Sequence, residues 1–198
     1  MGHGAGGDLS DEEWTRLEPH LPANRGRGGR ARHRSDEALG RSRGGLTCKI
    51  HLAGEGGRRP LGFVVTPGQR GDAPQMIPVL EEIRVPRQAD GRPRTRPDHV
   101  GGHKAYSSRR NRRHLRRRQI KHTIPEPRDQ RANRRRRGSQ GGKPTGFDKT
   151  IYRRRDEVER TVNRLENFRA IATRYDKRAY VFHGTVTVAA IRLWLRPG

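Results

Sequence analysis

The sequence predicts an α/β fold with a mixed sheet, and three patterns along the chain support this prediction. Apolar and polar residues alternate over residues 46–53 and again over 61–68, as in the two strands of an antiparallel hairpin. Apolar residues recur at helical spacing in residues 74–83 and 151–169. The resulting order is strand, strand, helix, strand, helix, strand, helix, which indicates a mixed sheet with flanking helices.

The first predicted element is a short N-terminal helix. Ser10 and Glu13 have the spacing of a capping box. Trp14, Leu17 and Leu21 follow on one face of this helix and should form its buried stripe.

The Gly- and Arg-rich residues 23–45 are predicted to be a flexible basic linker. The strand that follows should place Leu46, Cys48, Ile50 and Leu52 on one face, because side chains alternate along a strand. The only cysteine of the chain lies in this strand, so the sequence contains no internal disulfide and no multi-thiolate metal site.

Pro74 can open the first helix after the hairpin, because proline is tolerated at the first helical position. Its buried side should then consist of Met76, Val79, Leu80 and Ile83.

The second half of the chain alternates between short apolar and strongly basic segments. Residues 100–106 contain a short strand, and residues 107–119 form an Arg-rich helix whose first turn Ser107 and Ser108 can cap. Residues 120–124 alternate as a strand, and residues 126–149 are predicted to be a mobile basic loop.

Two helices complete the prediction. The first runs from about residue 151 to 169, with Val158, Val162, Leu165 and Phe168 turned inward. The second covers residues 183–195.

The charge of the chain favours a polyanionic partner. Lys and Arg number 45 against 21 Asp and Glu, which gives a formal net charge of +24. Such a charge repels itself unless anions neutralise it, and arginine, which dominates here, binds phosphate bidentately. Two runs concentrate this charge, with seven arginines in residues 109–118 and six in 128–137. We therefore expect contacts with the phosphate backbone of nucleic acid; the alternative is a solvated, charged helix.

The predicted helix 151–169 carries the pattern Tyr152-x2-Arg155-x3-Glu159-x6-Glu166. Spacings of three and four residues place Tyr152, Arg155 and Glu159 on one helical face. Glu159 is a candidate ligand for a hard cation such as Mg²⁺; the alternative is an ordinary ion pair between Arg155 and Glu159.

Four stretches, in the same order as in the family, resemble DDE-type insertion-sequence transposases. The stretch YRRRDEVERTVNRLENFRAIATRYDKRA is similar to the family's Y-x2-R-x3-E-x6-K signature. DEALGRSRGGLTCKIHLAGEGGRRPLGFVVTPGQRGDAP resembles the segment after the first catalytic Asp, and PDHVGGHKAYSSRRNRRHLRRRQIKHTIP resembles the segment that holds the second. LSDEEWTRLEPHLP is similar to the N-terminal module.

The resemblance implies an RNase H-like fold and a two-metal mechanism of phosphoryl transfer, in which two Asp and one Glu bind Mg²⁺. It implies DNA as the partner and assembly into oligomers on the element ends. It also implies DNA contacts by Tyr152, Arg155, Lys104 and the Arg-rich helix, whose arginines are Arg109, Arg110, Arg112, Arg113, Arg116 and Arg117.

This copy departs from the family at the catalytic positions. Glu159 matches the family Glu, but His103 occupies the position of the second Asp. The first Asp and its strand are missing before Asp36, as after an internal deletion, and Glu166 replaces the signature Lys. We therefore expect an incomplete RNase H-like mixed sheet with an N-terminal helical remnant, DNA binding, and no catalysis.

The expected organisation is a module remnant at residues 1–22, the linker at 23–45 and a catalytic-domain remnant at 46–198. The sequence shows neither a secretory signal nor an apolar run of about 20 residues, so we expect a cytoplasmic protein. Three alternatives remain open: an active enzyme with substituted ligands, a general basic nucleic-acid-binding protein, and a poorly folded pseudogene product.

Overall fold

The computed structural model describes residues 15–16, 37–42, 45–87 and 91–195. These form the predicted mixture of helices and strands. The strands are β1 (Gly40–Ser42), β2 (Gly45–Gly54), β3 (Pro60–Pro67), β4 (His99–Gly101) and β5 (Lys121–Thr123). The helices are α1 (Met76–Glu81), α2 (Arg109–Arg117), α3 (Arg128–Arg136), α4 (Lys149–Arg153), α5 (Asp156–Glu166), α6 (Arg169–Ala172) and α7 (Ala179–Leu195).

The predicted N-terminal helix falls almost entirely outside the described residues. Only Thr15 and Arg16 of this segment are described, and both are helical. The buried stripe of Trp14, Leu17 and Leu21 remains a prediction. None of the described helices is long and apolar enough to cross a lipid bilayer.

β2 and β3 form the predicted antiparallel hairpin, with Ile50 opposite Val65 and Leu52 opposite Phe63. Cys48, Ile50 and Leu52 pack against one apolar cluster, as their alternation predicts. Leu46 does not share this environment and is 72% exposed.

β1 lies inside the segment predicted to be a linker. It pairs antiparallel with the start of β2, with Gly40 opposite Thr47 and Ser42 opposite Gly45. The prediction of a flexible linker is therefore wrong for these residues. Backbone hydrogen bonding along an available strand edge outweighs the low strand propensity of a Gly- and Arg-rich sequence.

β4 and β5 are parallel, with His99 opposite Lys121 and Gly101 opposite Thr123. α2 makes the crossover between them, and it begins where Ser108 Oγ accepts a hydrogen bond from the Asn111 amide at 3.1 Å. The predicted strands and the cap are thus confirmed. Within the described residues the two sheets share no strand. In the same part of the chain, β1 pairs with β2 only from Gly45 to Thr47, and the rest of β2 pairs with β3 alone.

Two apolar clusters hold these elements together, and β2 and β3 contribute side chains to both. The first joins α1 and α2 to the residues on either side of β5, through Met76, Leu80, Ile83, Leu115, Ile120 and Ile124. The second joins α5, α6 and α7 through Leu165, Ile171, Phe182, Val186, Ala189 and Leu193. The predicted buried side of α1 is confirmed, since Val79 is buried along with the other three residues.

The helix predicted over residues 151–169 is divided into α4, α5 and α6. Arg154, Arg155 and Val158 donate backbone hydrogen bonds three residues back, the tighter pattern of a 3-10 turn. Asp156 and Glu157 then start α5, where the helix dipole favours negative charge. Leu165 is buried as predicted, whereas Val158 and Val162 are only half-buried.

The segment predicted to be a mobile loop, residues 126–149, contains α3 and a 3-10 turn at Gly138–Gly141. The prediction of a loop is wrong for this helix. Arginine, glutamine and alanine have high helix propensity, but here they form no apolar stripe that would indicate a helix. Arg134 anchors α3 through an ion pair with Glu126 at 3.2 Å. α7 also begins earlier than the expected residue 183, at Ala179.

Candidate nucleic-acid interface and acidic positions

α2 is amphipathic in an unusual way, because its inward side is largely polar. Leu115 is fully buried, and Asn111 donates hydrogen bonds to the carbonyls of Ala73 at 2.8 Å and Tyr106 at 3.0 Å. These contacts attach α2 to the segment before α1 and to the turn after β4. The inward side therefore orients the helix so that most of its arginines point to solvent.

The exposed side of α2 forms what we call the outer arginine face. It surrounds a shallow depression of about 500 Å³ with one carboxylate, Glu81, at its edge. In the part of the chain that the structure describes, no side-chain hydrogen bond or ion pair occupies these guanidinium groups. The face consists of Arg109, Arg110, Arg113 and Arg117.

Arg112 belongs to the same run in sequence but not to this face. It is 9% exposed, and its Nη2 donates to Ser107 Oγ and to the Ile124 carbonyl, both at 2.9 Å. Burial lowers the pKa of its guanidinium, and nearby Glu126 partly opposes that shift. Arg112 therefore tethers α2 to the end of β5.

His103 lies just after β4, at the start of the 3-10 turn Lys104–Tyr106. Its Nδ1 accepts a hydrogen bond from the Ala105 amide at 3.3 Å. A metal that binds Nδ1 would have to displace this hydrogen bond, since Nδ1 uses its lone pair to accept it. The side chains of His103 and Lys104 are both exposed.

Tyr152 and Arg155 are brought together, as their spacing predicts. Arg155 Nη1 donates to the Tyr152 hydroxyl at 2.9 Å, and its guanidinium lies 5.1 Å from the ring centre. Its Nε faces the Asp156 carboxylate at 3.3 Å. The alternative ion pair with Glu159 is not formed. Glu159 is exposed in the first turn of α5.

The acidic positions do not fit the Mg²⁺ that the family resemblance implies. Among the described residues, no group of three or more His, Cys, Asp or Glu side chains could hold a metal ion. His103 is committed to a backbone amide, and Glu159 contributes a single carboxylate. Two hard cations held about 4 Å apart need several carboxylate oxygens, which this arrangement does not supply.

The sequence did not indicate a second basic depression, of about 690 Å³, on the other side of α2. It lies at the amino-terminal ends of β4 and β5, where His99 and Lys121 are opposite each other. Isolated His and Lys residues in short strands carry no pattern of their own. Only the parallel pairing of β4 and β5 brings them together.

Comparisons with known proteins agree on one family. Residues 25–194 match the family model described as the transposase DDE domain. A protein of Burkholderia cepacia named "Putative transposase for insertion sequence element IS402" is 32% identical over 136 residues, which cover 69% of this chain. The matched region spans about half, 56%, of that relative's length. No solved structure matches the chain.

Proposed function

The chain belongs to the transposase DDE domain family, and from this premise we propose that it is an RNase H-like, insertion-sequence transposase derivative that binds DNA but no longer cuts it. Transposition of an insertion sequence is the activity of the lineage. The described elements support the proposed fold, because an antiparallel hairpin precedes a parallel strand–helix–strand unit.

The outer arginine face is the observation that carries the DNA-binding part of the proposal. Four exposed guanidinium groups, which have no side-chain partner among the described residues, lie on one side of α2. Arginine forks bind phosphate oxygens bidentately, and such contacts position DNA without reading its sequence. The net charge of +24 attracts the duplex over a longer range.

The proposed loss of catalysis rests on the acidic positions. In the family, carboxylates hold two metal ions that activate the attacking oxygen and stabilise the leaving one. Here His103 stands at the position of the second family Asp, so that position supplies no carboxylate beside Glu159. The His103 ring accepts a hydrogen bond from the Ala105 amide. Mg²⁺ is a cofactor of the family, and we propose that this chain does not retain it.

A charge-matched pair of triple variants tests the binding surface. Arg109, Arg113 and Arg117 are changed to Gln on the outer arginine face. The control changes the exposed Arg70, Arg92 and Arg169. In each protein three positive charges are lost, so a general charge effect weakens duplex binding equally in both.

We expect fluorescence anisotropy to show a salt slope lower by roughly 3 in the first triple variant and a much smaller change in the control. Equal losses in both variants would show that net charge alone attracts the DNA. Equal affinity of the wild-type chain for unrelated RNA would favour a general nucleic-acid-binding protein. Metal-dependent nicking above a Glu159→Ala control would contradict the proposed loss of catalysis.

A further inference from the structure

The second basic depression, which we name the β5 cleft, lies between α2, the start of β5 and the segment 143–146. Its volume of about 690 Å³ is within the range of pockets that hold small ligands, about 300–1,000 Å³. The described lining contains no Asp or Glu. Its basic side chains are His99, Arg112, Arg116, Lys121, His122 and Lys143.

From this arrangement we propose that the β5 cleft is a phosphate-binding site separate from the outer arginine face. The site goes beyond the proposed function, because nothing in DNA binding by the outer face requires it. Its position also separates it from His103. The cleft opens at the amino-terminal ends of β4 and β5, whereas His103 follows the carboxyl end of β4.

Arg112 supplies independent support for an anionic ligand. Its Nη2 has two hydrogen-bond partners, but its buried Nη1 has none among the residues that the structure describes. A buried charged donor without a partner is costly, and a phosphate oxygen is the acceptor that best satisfies a guanidinium. Arg116 and Lys121, both exposed at the cleft, add further positive charge.

The protonation of two histidines in the cleft should change when a phosphate binds there. His122 Nδ1 donates to the Ile120 carbonyl at 3.4 Å, which leaves Nε2 as the basic nitrogen of the neutral ring. One nitrogen of His99, Nε2, pairs with Thr123 Oγ1 at 3.1 Å. A bound phosphate therefore favours the protonated form of both rings.

The charged surroundings of both rings set the direction of the pH dependence. Burial lowers the pKa of His99 first of all; Asp148 opposes this shift, and Lys121 and Arg154 add to it. The Asp148 carboxylate is itself held by the Thr150 and Ile151 amides at 2.8 and 3.1 Å.

Burial likewise lowers the pKa of His122. The Ile120 carbonyl opposes this shift, while Arg112, Arg116 and His99 add to it. Both rings are thus neutral near pH 7 and gain protons as the pH falls. Phosphate affinity should therefore rise as the pH falls, because an anion stabilises the protonated rings.

Titration of the folded chain with inorganic phosphate tests the site, with the His99 and His122 ring signals in NMR and the heat of binding as readouts. Lys121→Gln removes a cleft charge, and Lys177→Gln removes an exposed charge just before α7, away from the cleft. We expect saturable shifts of both ring signals, about tenfold weaker binding in Lys121→Gln, and no more than a twofold change in Lys177→Gln.

A thymidine dinucleotide with a 5′-phosphate, compared with one without it, distinguishes a terminal phosphate from the nucleic-acid backbone. Sulfate, whose charge stays constant, controls for the titration of phosphate itself between pH 7 and 5, the range in which rings with a lowered pKa gain their protons. Absence of saturable shifts at both rings would overturn the proposal. Equal weakening by the two lysine substitutions, or sulfate affinity that does not rise as the pH falls, would overturn it as well.

Discussion

Arg112 and Arg113 are neighbours in one arginine run, yet the structure predicts opposite consequences for replacing them with Met. Arg113 is exposed on the outer arginine face, whereas Arg112 is 9% exposed and bonded to Ser107 and Ile124. Arg113→Met should weaken DNA binding and leave folding unchanged. Arg112→Met should lower stability and change the salt dependence of duplex binding less than Arg113→Met does.

The magnitude for Arg112 follows from the partners left behind. Met leaves the Ile124 carbonyl without its donor in a fully buried environment, at a cost of about 1–3 kcal/mol. Relief of the buried charge offsets part of this cost. For a chain of this size each kcal/mol shifts the melting temperature by roughly 2–4 °C, so we expect a decrease of roughly 5 °C.

The magnitude for Arg113 follows from counterion release. The outer arginine face offers four guanidinium groups, which predicts a slope of log affinity against log salt of about −3.6. Affinity should then fall by about 150-fold between 50 and 200 mM salt. Counting all six arginines predicted from the sequence gives about −5.4, or nearly 2,000-fold. Arg113→Met should reduce the slope by about 1.

Thermal unfolding and duplex anisotropy at three salt concentrations separate the two effects. The wild-type slope decides whether four or six arginines contact phosphate. The reasoning is refuted if Arg112→Met changes the salt slope as much as Arg113→Met does while its melting temperature stays at the wild-type value.

Three further predictions follow from the same structure. His103→Asp should fold, because Asp can accept from the Ala105 amide, yet show no Mg²⁺- or Mn²⁺-dependent nicking above Glu159→Ala; measurable cleavage would reveal another ligand. Leu115→Ala should lower the free energy of unfolding by about 2–5 kcal/mol in denaturant titration, and a loss under 1 kcal/mol would mean that the first cluster is loosely packed. Hydrogen exchange throughout residues 10–21 should be fast, and strong protection there would show that the N-terminal helix has retained a packing partner.

Strong periodicity allowed the elements around both apolar clusters to be predicted. The alternation in β2 and β3 and the helical spacing of Met76, Val79, Leu80 and Ile83 each reflect burial against a single layer. The cap at Ser108 could be predicted because it depends on residues three apart. These patterns involve only residues close together in the chain, so they can be recognised without the structure.

Features without an apolar period could not be predicted in this way. α3 lacks an apolar stripe, and its Arg134 forms an ion pair with Glu126. The burial of Arg112 requires Ile124, which only the crossover from α2 to β5 brings within reach. The interruption after α4 arises from 3-10 hydrogen bonding near Arg154, in a sequence whose helical spacing is continuous.

The separate locations of the basic and acidic residues are consistent with the proposal that this chain binds DNA without cutting it. The outer arginine face depends on α2, which Asn111 and Leu115 anchor to the first cluster. The acidic positions depend on α5 and on the turn after β4. A carboxylate without its metal repels the phosphates of DNA, so a His in place of a family Asp removes a source of repulsion. Under the proposed function, loss of the metal site would therefore not weaken the electrostatic attraction for DNA that the net charge of +24 provides.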